Sequence, residues 1–232
     1  MKLFLIPSFL ANDTQNYLPT IIKETISTTS YFLVENERTA RRFISALNTG
    51  QNVRDLNFFR LDKRTKYRDL TEIFTKIPSN ENVGVISEAG CPGIADPGAL
   101  AVSWAHQKNI EVIALPGPSS IFLALMSSGF SGQQFAFHGY IPLKNPQRNN
   151  FLQKISEMVS KKGETQIFME TPYRNEQLFN DLIKELNPET LLCIASNLTA
   201  PDQFVKTQTV KLWKNKKPAI QKIPTIFLIG VI

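Results

Sequence analysis

The sequence predicts an α/β protein of two domains, residues 1–116 and 117–232, with a mainly parallel sheet in the first and a mixed sheet in the second. Three observations lead there. Strand-like and helix-like patterns alternate without a break as far as Leu115; parallel strands need crossover connections, and each crossover helix covers a sheet face. Past Leu115 the alternation loosens, and the last two strand patterns are separated only by a lysine-rich turn, which suggests an antiparallel hairpin closing a mixed sheet. Two turns rich in Gly and Pro, residues 87–98 and 115–120, follow strands of the first half, where α/β sheets bind their ligands.

Taken in order, residues 3–6 form an apolar run and hence a strand, after which Leu18, Ile21, Ile22 and Ile26 recur at helical spacing. Tyr31–Val34 is a second short strand. Residues 36–48 form a helix with Ala40, Phe43, Ile44 and Leu47 on one face, Arg38, Arg41 and Arg42 largely off it, and Gly50 as a stop. Strands at 56–61, 83–86 and 110–115 then alternate with helices at 65–77 and 98–108. In the second half Ser119 or Ser120 caps a small-residue helix ending at Gly129, 134–141 is a strand, 151–159 lies within a helix, and 165–169 is a strand. A helix at 175–186, a strand at 191–195 and the two closing strands near 204–212 and 224–231 complete the chain.

At 232 residues the chain can bury a sizeable core. A hydrophobic content of 42% with 20% charged residues is that of an ordinary water-soluble protein. The first ten residues hold one Lys and a short apolar run, but Pro7 interrupts it and residues 11–13 make a poor cleavage site, so a strand and loop are expected rather than a signal peptide. Lys222 and Pro224 break the best apolar run well before the roughly 18 residues a membrane span needs. Cys91 and Cys193 lie far apart and lack metal-ligand spacing, which fits a reducing cytoplasm. The net charge of +6 is carried entirely by the last thirty residues, where Lys206, Lys211, Lys214, Lys216, Lys217 and Lys222 follow the last acidic residue, Asp202. Lysines around Trp213 permit contact with a polyanion such as RNA and equally suit a solvated turn.

Several chemistries are set aside. Pro7-Ser-Phe-Leu-Ala-Asn12 stands where a dinucleotide fold has Gly-x-Gly-x-x-Gly, and there is no Gly-x-x-x-x-Gly-Lys-Ser/Thr loop. The two histidines, His106 and His138, have no cysteine or carboxylate at metal spacing, which argues against a zinc or triad enzyme; His138 reads as a packing residue. What remains is polar residues at strand ends: Glu35, Glu88, Ser119, Ser120, Glu170 with Arg174, and Ser196-Asn-Leu-Thr199. Each alone suits a helix cap or an i,i+4 pair; their recurrence at strand ends is the stronger signal.

These segments resemble the tetrapyrrole methylase superfamily, and within it the small-subunit ribosomal RNA methyltransferase I family. That family's Ser-Asp-Ala-Gly-Thr-Pro-x-Ile-Ser-Asp-Pro-Gly loop appears as Ser87-Glu-Ala-Gly-Cys-Pro-Gly-Ile-Ala-Asp-Pro-Gly98, and its Leu-Pro-Gly-Pro turn as Leu115-Pro-Gly-Pro118. Its Glu-x-x-x-Arg falls on Glu170 and Arg174, its Leu-Pro-x-Lys on Ile141-Pro-Leu-Lys144, and a downstream Arg on Arg148. The cofactor-side motifs survive better than the substrate-side ones. Only Pro7 and Asn12 survive of Pro-Thr-Pro-Ile-Gly-Asn, Glu-Asp-Thr-Arg becomes Glu35-Asn-Glu-Arg38, Ala-Arg-Glu-Leu-Thr-Lys becomes Ala195-Ser-Asn-Leu-Thr-Ala200, and the usual C-terminal extension has no counterpart.

The resemblance implies a two-domain tetrapyrrole methylase-like fold with S-adenosylmethionine in a cleft between the domains. It implies a donor site drawn from Pro7, Glu88, Ala89, Gly90, Ile94, Asp96, Ser119, Ser120, Met169 and Ala195, and no metal. Transfer to a cytidine 2′-hydroxyl of small-subunit RNA needs a base, for which Glu35 and Glu88 are the candidates. Arg38, Lys144, Arg148 and Arg174 are expected at RNA phosphates. The small ribosomal subunit or its RNA as partner, and a homodimer, are also implied. Two alternatives stay open: a same-fold methyltransferase acting on a small molecule such as a corrinoid or porphyrin precursor, and a non-catalytic RNA-binding descendant.

Overall fold

The computed structural model describes residues 1–11 and 14–232, which divide into two compact units, Met1–Ser119 and Ser120–Ile232. The first unit is built on five parallel strands: β1 (Lys2–Ile6), β2 (Tyr31–Val34), β3 (Asn57–Arg60), β4 (Val83–Ile86) and β5 (Glu111–Ala114), in the order β3-β2-β4-β1-β5. Helices α1 (Thr20–Ser27) and α2 (Glu37–Ala46) cover one face, burying Ile22, Ile26, Ala40, Phe43 and Ile44 against Phe32, Val34 and Ile86. Helices α3 (Tyr67–Phe74) and α4 (Gly98–Gln107) cover the other, with Leu70, Phe74, Ala101 and Trp104 against Leu33, Val83 and Val85. The apolar stripe of α2 is the one its sequence period predicts. Its start is set by Asn36, whose side chain accepts from the N–H groups of Arg38 and Thr39 at 2.9 and 3.4 Å.

Register matters more than strand count here. Ile6, Ile86, Val34 and Arg60 stand side by side across β1, β4, β2 and β3. Four strands therefore end in one row, and the residues that leave them start from a common edge.

The second unit carries α5 (Ser120–Ser128), β6 (Phe135–Tyr140), α6 (Gln147–Lys162), β7 (Thr165–Met169), α7 (Asn175–Glu185), β8 (Leu191–Ser196), β9 (Phe204–Thr209), α8 (Val210–Trp213) and β10 (Thr225–Gly230). Its sheet runs β6-β7-β10-β8-β9; β6 and β7 are parallel and the remaining pairs antiparallel. Helix α5 packs on one face with Ala124 and Leu125, while α6, α7 and α8 pack on the other with Leu152, Ile155, Leu178, Leu182 and Trp213. The expected closing hairpin is not formed. Every residue of β10 is buried, so it needs a neighbour on each side and lies between β7 and β8, while the half-exposed β9 takes the edge beside β8. No helix among the described residues is long and apolar enough to cross a membrane.

Candidate functional site

In the first unit β4 lies between β2 and β1, and the helix that follows it packs on the face opposite to the helices that follow its two neighbours. Chain leaving β4 therefore turns away from chain leaving β2 and β1, and a crevice opens at their carboxyl ends, the place where open α/β sheets bind ligands. Pro7, Glu35 and Ser87 are the first residues beyond β1, β2 and β4, and Glu88 follows.

The loop of residues 87–98 is held by its own side chains. One Asp96 carboxylate oxygen accepts from the N–H groups of Gly93 and Gly98 at 2.9 and 2.7 Å, and the other accepts from the Ser87 hydroxyl at 2.9 Å. The loop is also tied to the segments beside it. Ser8 donates its hydroxyl to Ser87 O at 2.8 Å and its N–H to Gly90 O at 3.0 Å, and the Cys91 thiol points to Pro118 O at 3.5 Å. Gly90 has φ +73°, a conformation that costs glycine nothing. Gly117 is required by proximity, since a Cβ there would stand 2.3 Å from Pro7 Cβ. The two Gly- and Pro-rich turns are thus one fastened structure. Asp96, expected to touch a cofactor, holds the loop with both carboxylate oxygens.

Glu35 and Glu88 meet Asp96 at this edge. Burial raises the Glu35 carboxyl above its ordinary range first of all; the charges of Asp96 and Glu88 and a hydrogen bond shared with Asp96 add to the rise, and Lys63 opposes it. Glu88 is exposed as a residue, but its carboxylate accepts from the Thr39 hydroxyl and the Asn36 N–H. Its pKa is also raised, by loss of water around the carboxyl more than by Asp96, and against the pull of those two hydrogen bonds. Asn36, Thr39 and Lys63 escaped the sequence reading. The Asn36-x-x-Thr39 start of α2 was a visible helix-cap signal, but nothing local in it points to Glu88. Ala89 and Ile94 are exposed on the same loop, and Arg38 is exposed on the first turn of α2. Asn12 lies outside the described residues.

In the second unit Met169 and Ala195 occupy one row, because both stand opposite Ile226 of β10. They share the face covered by α5, whose first residue is Ser120, while Ser119 closes the first unit. The basic residues separate. Lys144 is exposed, but Arg148 is only 2% exposed, donating Nε to Pro142 O at 2.8 Å and pairing with Asp181 and with Glu170. Its expected place at an RNA phosphate is corrected: the guanidinium is the counter-ion of a buried carboxylate. Arg174 is paired with Glu170 at 2.6 Å, as the spacing allowed. His138 hydrogen-bonds Gln166 at 2.7 Å and lies edge-on to Phe151, a packing role. The six lysines of the basic stretch are exposed, whereas Trp213 among them is buried and donates to Leu192 O at 2.9 Å, so its ring is not offered to a base. Among the described residues no group of three or more His, Cys, Asp or Glu is arranged to hold a metal.

The family described as Tetrapyrrole (Corrin/Porphyrin) Methylases has a sequence model that matches residues 20–212. Curated relatives include a protein of Synechocystis named Ribosomal RNA small subunit methyltransferase I, 36% identical over 128 residues, or 55% of this chain and 44% of that protein. One of the same name from Vibrio cholerae is 27% identical over 200 residues, 85% of this chain and 65% of its own length. The chain therefore spans about half to two thirds of the length of these relatives. Among solved structures, the methyltransferase CobJ superposes with a TM-score of 0.65 at 16% identity, over 99% of this chain and 93% of that one. Uroporphyrin-III C-methyl transferase from Thermus thermophilus, complexed with S-adenyl homocysteine, does so with a TM-score of 0.62 at 14% identity, over 99% and 97%. At such identities these two likenesses speak to the fold alone.

Proposed function

The chain belongs to the tetrapyrrole methylase family, and from that premise we propose that it is an S-adenosylmethionine-dependent methyltransferase whose acceptor is a ribose 2′-hydroxyl of small-subunit ribosomal RNA. The observation that supports it most is the fastened 87–98 loop at the sheet's reversal of winding, with two carboxylates at its edge. Its fit to the donor is physical: Ala89 is small and exposed, and it lies beside the buried Gly90 in a loop that Asp96 and Pro118 hold in shape. Pro7, Ala89, Gly90, Ile94 and Ser119 of the first unit, with Ser120, Met169 and Ala195 of the second, are the residues assigned to hold the donor. The bound donor supplies a methyl group already activated on a sulfonium, so the chain's tasks are placement, exclusion of water and removal of one proton.

The carboxylates divide that work. Three donors converge on Asp96, and Glu35 shares a hydrogen bond with the same carboxylate. Glu35 is thereby assigned as an orienting group. Glu88, anchored to the start of α2 by Thr39 and Asn36, is the group assigned to accept the hydroxyl proton, and its raised pKa makes it a stronger base than an ordinary carboxylate. Arg38, Lys144 and the C-terminal lysines are assigned to RNA phosphates. The same reading takes the working form to be a cytoplasmic homodimer, which sedimentation of the purified chain checks. The experiment is transfer of tritiated methyl from the donor to purified small ribosomal subunits. Label should appear in RNA and be released by ribonuclease; donor binding without labelled RNA would contradict the acceptor.

A further inference from the structure

The chain that leaves β3 carries a concentration of charge that the fold does not need. Residues 60–69, Arg-Leu-Asp-Lys-Arg-Thr-Lys-Tyr-Arg-Asp, hold five cations and two carboxylates, although residues 1–205 are neutral overall. Both carboxylates are occupied inside the stretch. One Asp62 oxygen accepts from the N–H groups of Arg64 and Thr65 at 2.8 and 3.2 Å, and the other pairs with Arg60 at 2.6 Å. Asp69 accepts from Lys66 N–H at 2.8 Å and meets Arg68 at 3.4 Å. The Arg60 and Arg68 side chains nonetheless stay 76% and 77% exposed. Arg64 and Lys66 are exposed too, and their side chains have no ion pair among the described residues. Lys66 and Arg68 also flank the first residue of α3, the end of a helix that favours anions, so they work against the helix they begin.

The stretch is a shaped surface at the sheet edge that carries the two glutamates. Leu61 is buried, and its N–H donates to Val34 O at 2.8 Å, so the loop starts beside Glu35. Lys63 lies near enough to Glu35 to oppose the rise in its pKa. Asp62 N–H donates to the Thr65 hydroxyl at 2.9 Å and Thr65 N–H to Asp62 O at 3.0 Å, which closes the turn. Arg60, Asp62, Arg64, Thr65 and Asp69 line an open depression of about 300 Å³. Tyr67 is 36% exposed between Lys66 and Arg68. Cations bind phosphates, and a ring set among them offers a face on which an unpaired base can stack. A duplex keeps its base faces covered, and an acidic peptide would use the charges but gain nothing from the ring.

We propose that residues 60–68 are the platform for an unpaired strand of the acceptor RNA, with Arg64 and Lys66 at its phosphates and Tyr67 stacked on one of its bases. The choice of partner rests on the RNA reading above. The test is fluorescence anisotropy of the full chain with a labelled single-stranded RNA of about ten nucleotides and with the same strand in a duplex, across salt, beside thermal melting and calorimetric titration with S-adenosylhomocysteine. Arg64→Gln and Lys66→Gln should each reduce the slope of log K against log salt for the single strand by about 0.7. Tyr67→Ala should weaken the single strand about tenfold and leave the duplex unchanged, and Tyr67→Phe should bind as wild type does, since it keeps the ring. In none of these variants should the melting temperature or the S-adenosylhomocysteine affinity fall, which separates a lost RNA contact from a lost fold. Wild-type slopes in both cation variants, equal losses for strand and duplex in Tyr67→Ala, no recovery in Tyr67→Phe, or a wild-type chain that binds neither RNA would overturn the assignment. A wild-type chain that binds the single strand through this platform yet transfers no methyl to small ribosomal subunits would sink the methyltransferase reading and leave the platform standing. Methyl transfer with an unchanged KM for small subunits in Arg64→Gln and Lys66→Gln would sink the platform alone.

Discussion

Glu35, Glu88 and Asp96 crowd one edge of the first sheet, and Glu35 and Glu88 bind their protons more tightly in the folded state than in the unfolded chain. A carboxyl whose folded pKa lies above its ordinary 4.5 favours folding fully below that value and loses the contribution as pH rises through the raised one. Stability should therefore fall from about pH 4.5 toward neutrality, and Glu35→Gln should flatten that decline and raise the melting temperature at pH 7. Thermal melts across pH measure it; an unaltered slope would deny the crowding. Glu88→Gln should cut turnover by roughly a hundredfold or more and remove the acidic limb of the pH–rate profile, with donor binding retained. In the second unit Arg148 and Glu170 are both buried. Arg148→Ala leaves a carboxylate without its counter-ion and should cost about 3–5 kcal/mol in urea unfolding; a phosphate-contacting arginine would lose RNA affinity at unchanged stability. The strand-end carboxylates were legible from the sequence because their position follows from strand period alone. The fate of Arg148 was not, because Asp181 lies 33 residues away and only the packing of α6 on α7 joins the two.

At the level of elements, the turn after β5 packs closely on the residue that leaves β1. Gly117→Ala would drive a Cβ to 2.3 Å from Pro7 Cβ, a rigid ring carbon. The expected loss is about 1–3 kcal/mol from overpacking, with weaker donor binding because Cys91 and Gly90 rest on the same backbone; denaturant midpoints and calorimetry read the two effects. Helix and strand periods foretold nearly every element of both units. They failed on the partner of β10, where nearness in sequence suggested β9. The unbroken apolar run Thr-Ile-Phe-Leu-Ile of Thr225–Gly230 was the better guide, since a strand buried on both faces belongs in the middle of a sheet, while the alternation of Phe204–Thr209 marks an edge. The short helix α8 and the prolines before β10 give the chain room to cross over.

Over the whole molecule, the charge is one-sided. The lysines from Lys206 to Lys222 are all exposed, and the one acidic side chain paired with any of them is Glu176, with Lys217, among the described residues. RNA binding should therefore weaken steeply with salt, and each of Lys211, Lys214 and Lys216 that contacts a phosphate should reduce the slope of log K against log salt by about 1 when changed to Gln. Slopes unchanged in all three variants would move the RNA contact away from this face. Fold and donor chemistry were readable because they reside in Gly, Pro and strand-end positions; the acceptor was less so, because Glu35-Asn-Glu-Arg38 and Ala195-Ser-Asn-Leu-Thr-Ala200 match the family pattern only in part. The most direct measurement is mass spectrometry of small-subunit ribosomal RNA from cells with and without the gene. A single ribose 2′-O-methyl group that disappears with the gene and returns with the wild-type chain, but not with Glu88→Gln, is the predicted result. An identical methylation pattern in both cells would contradict the assigned function.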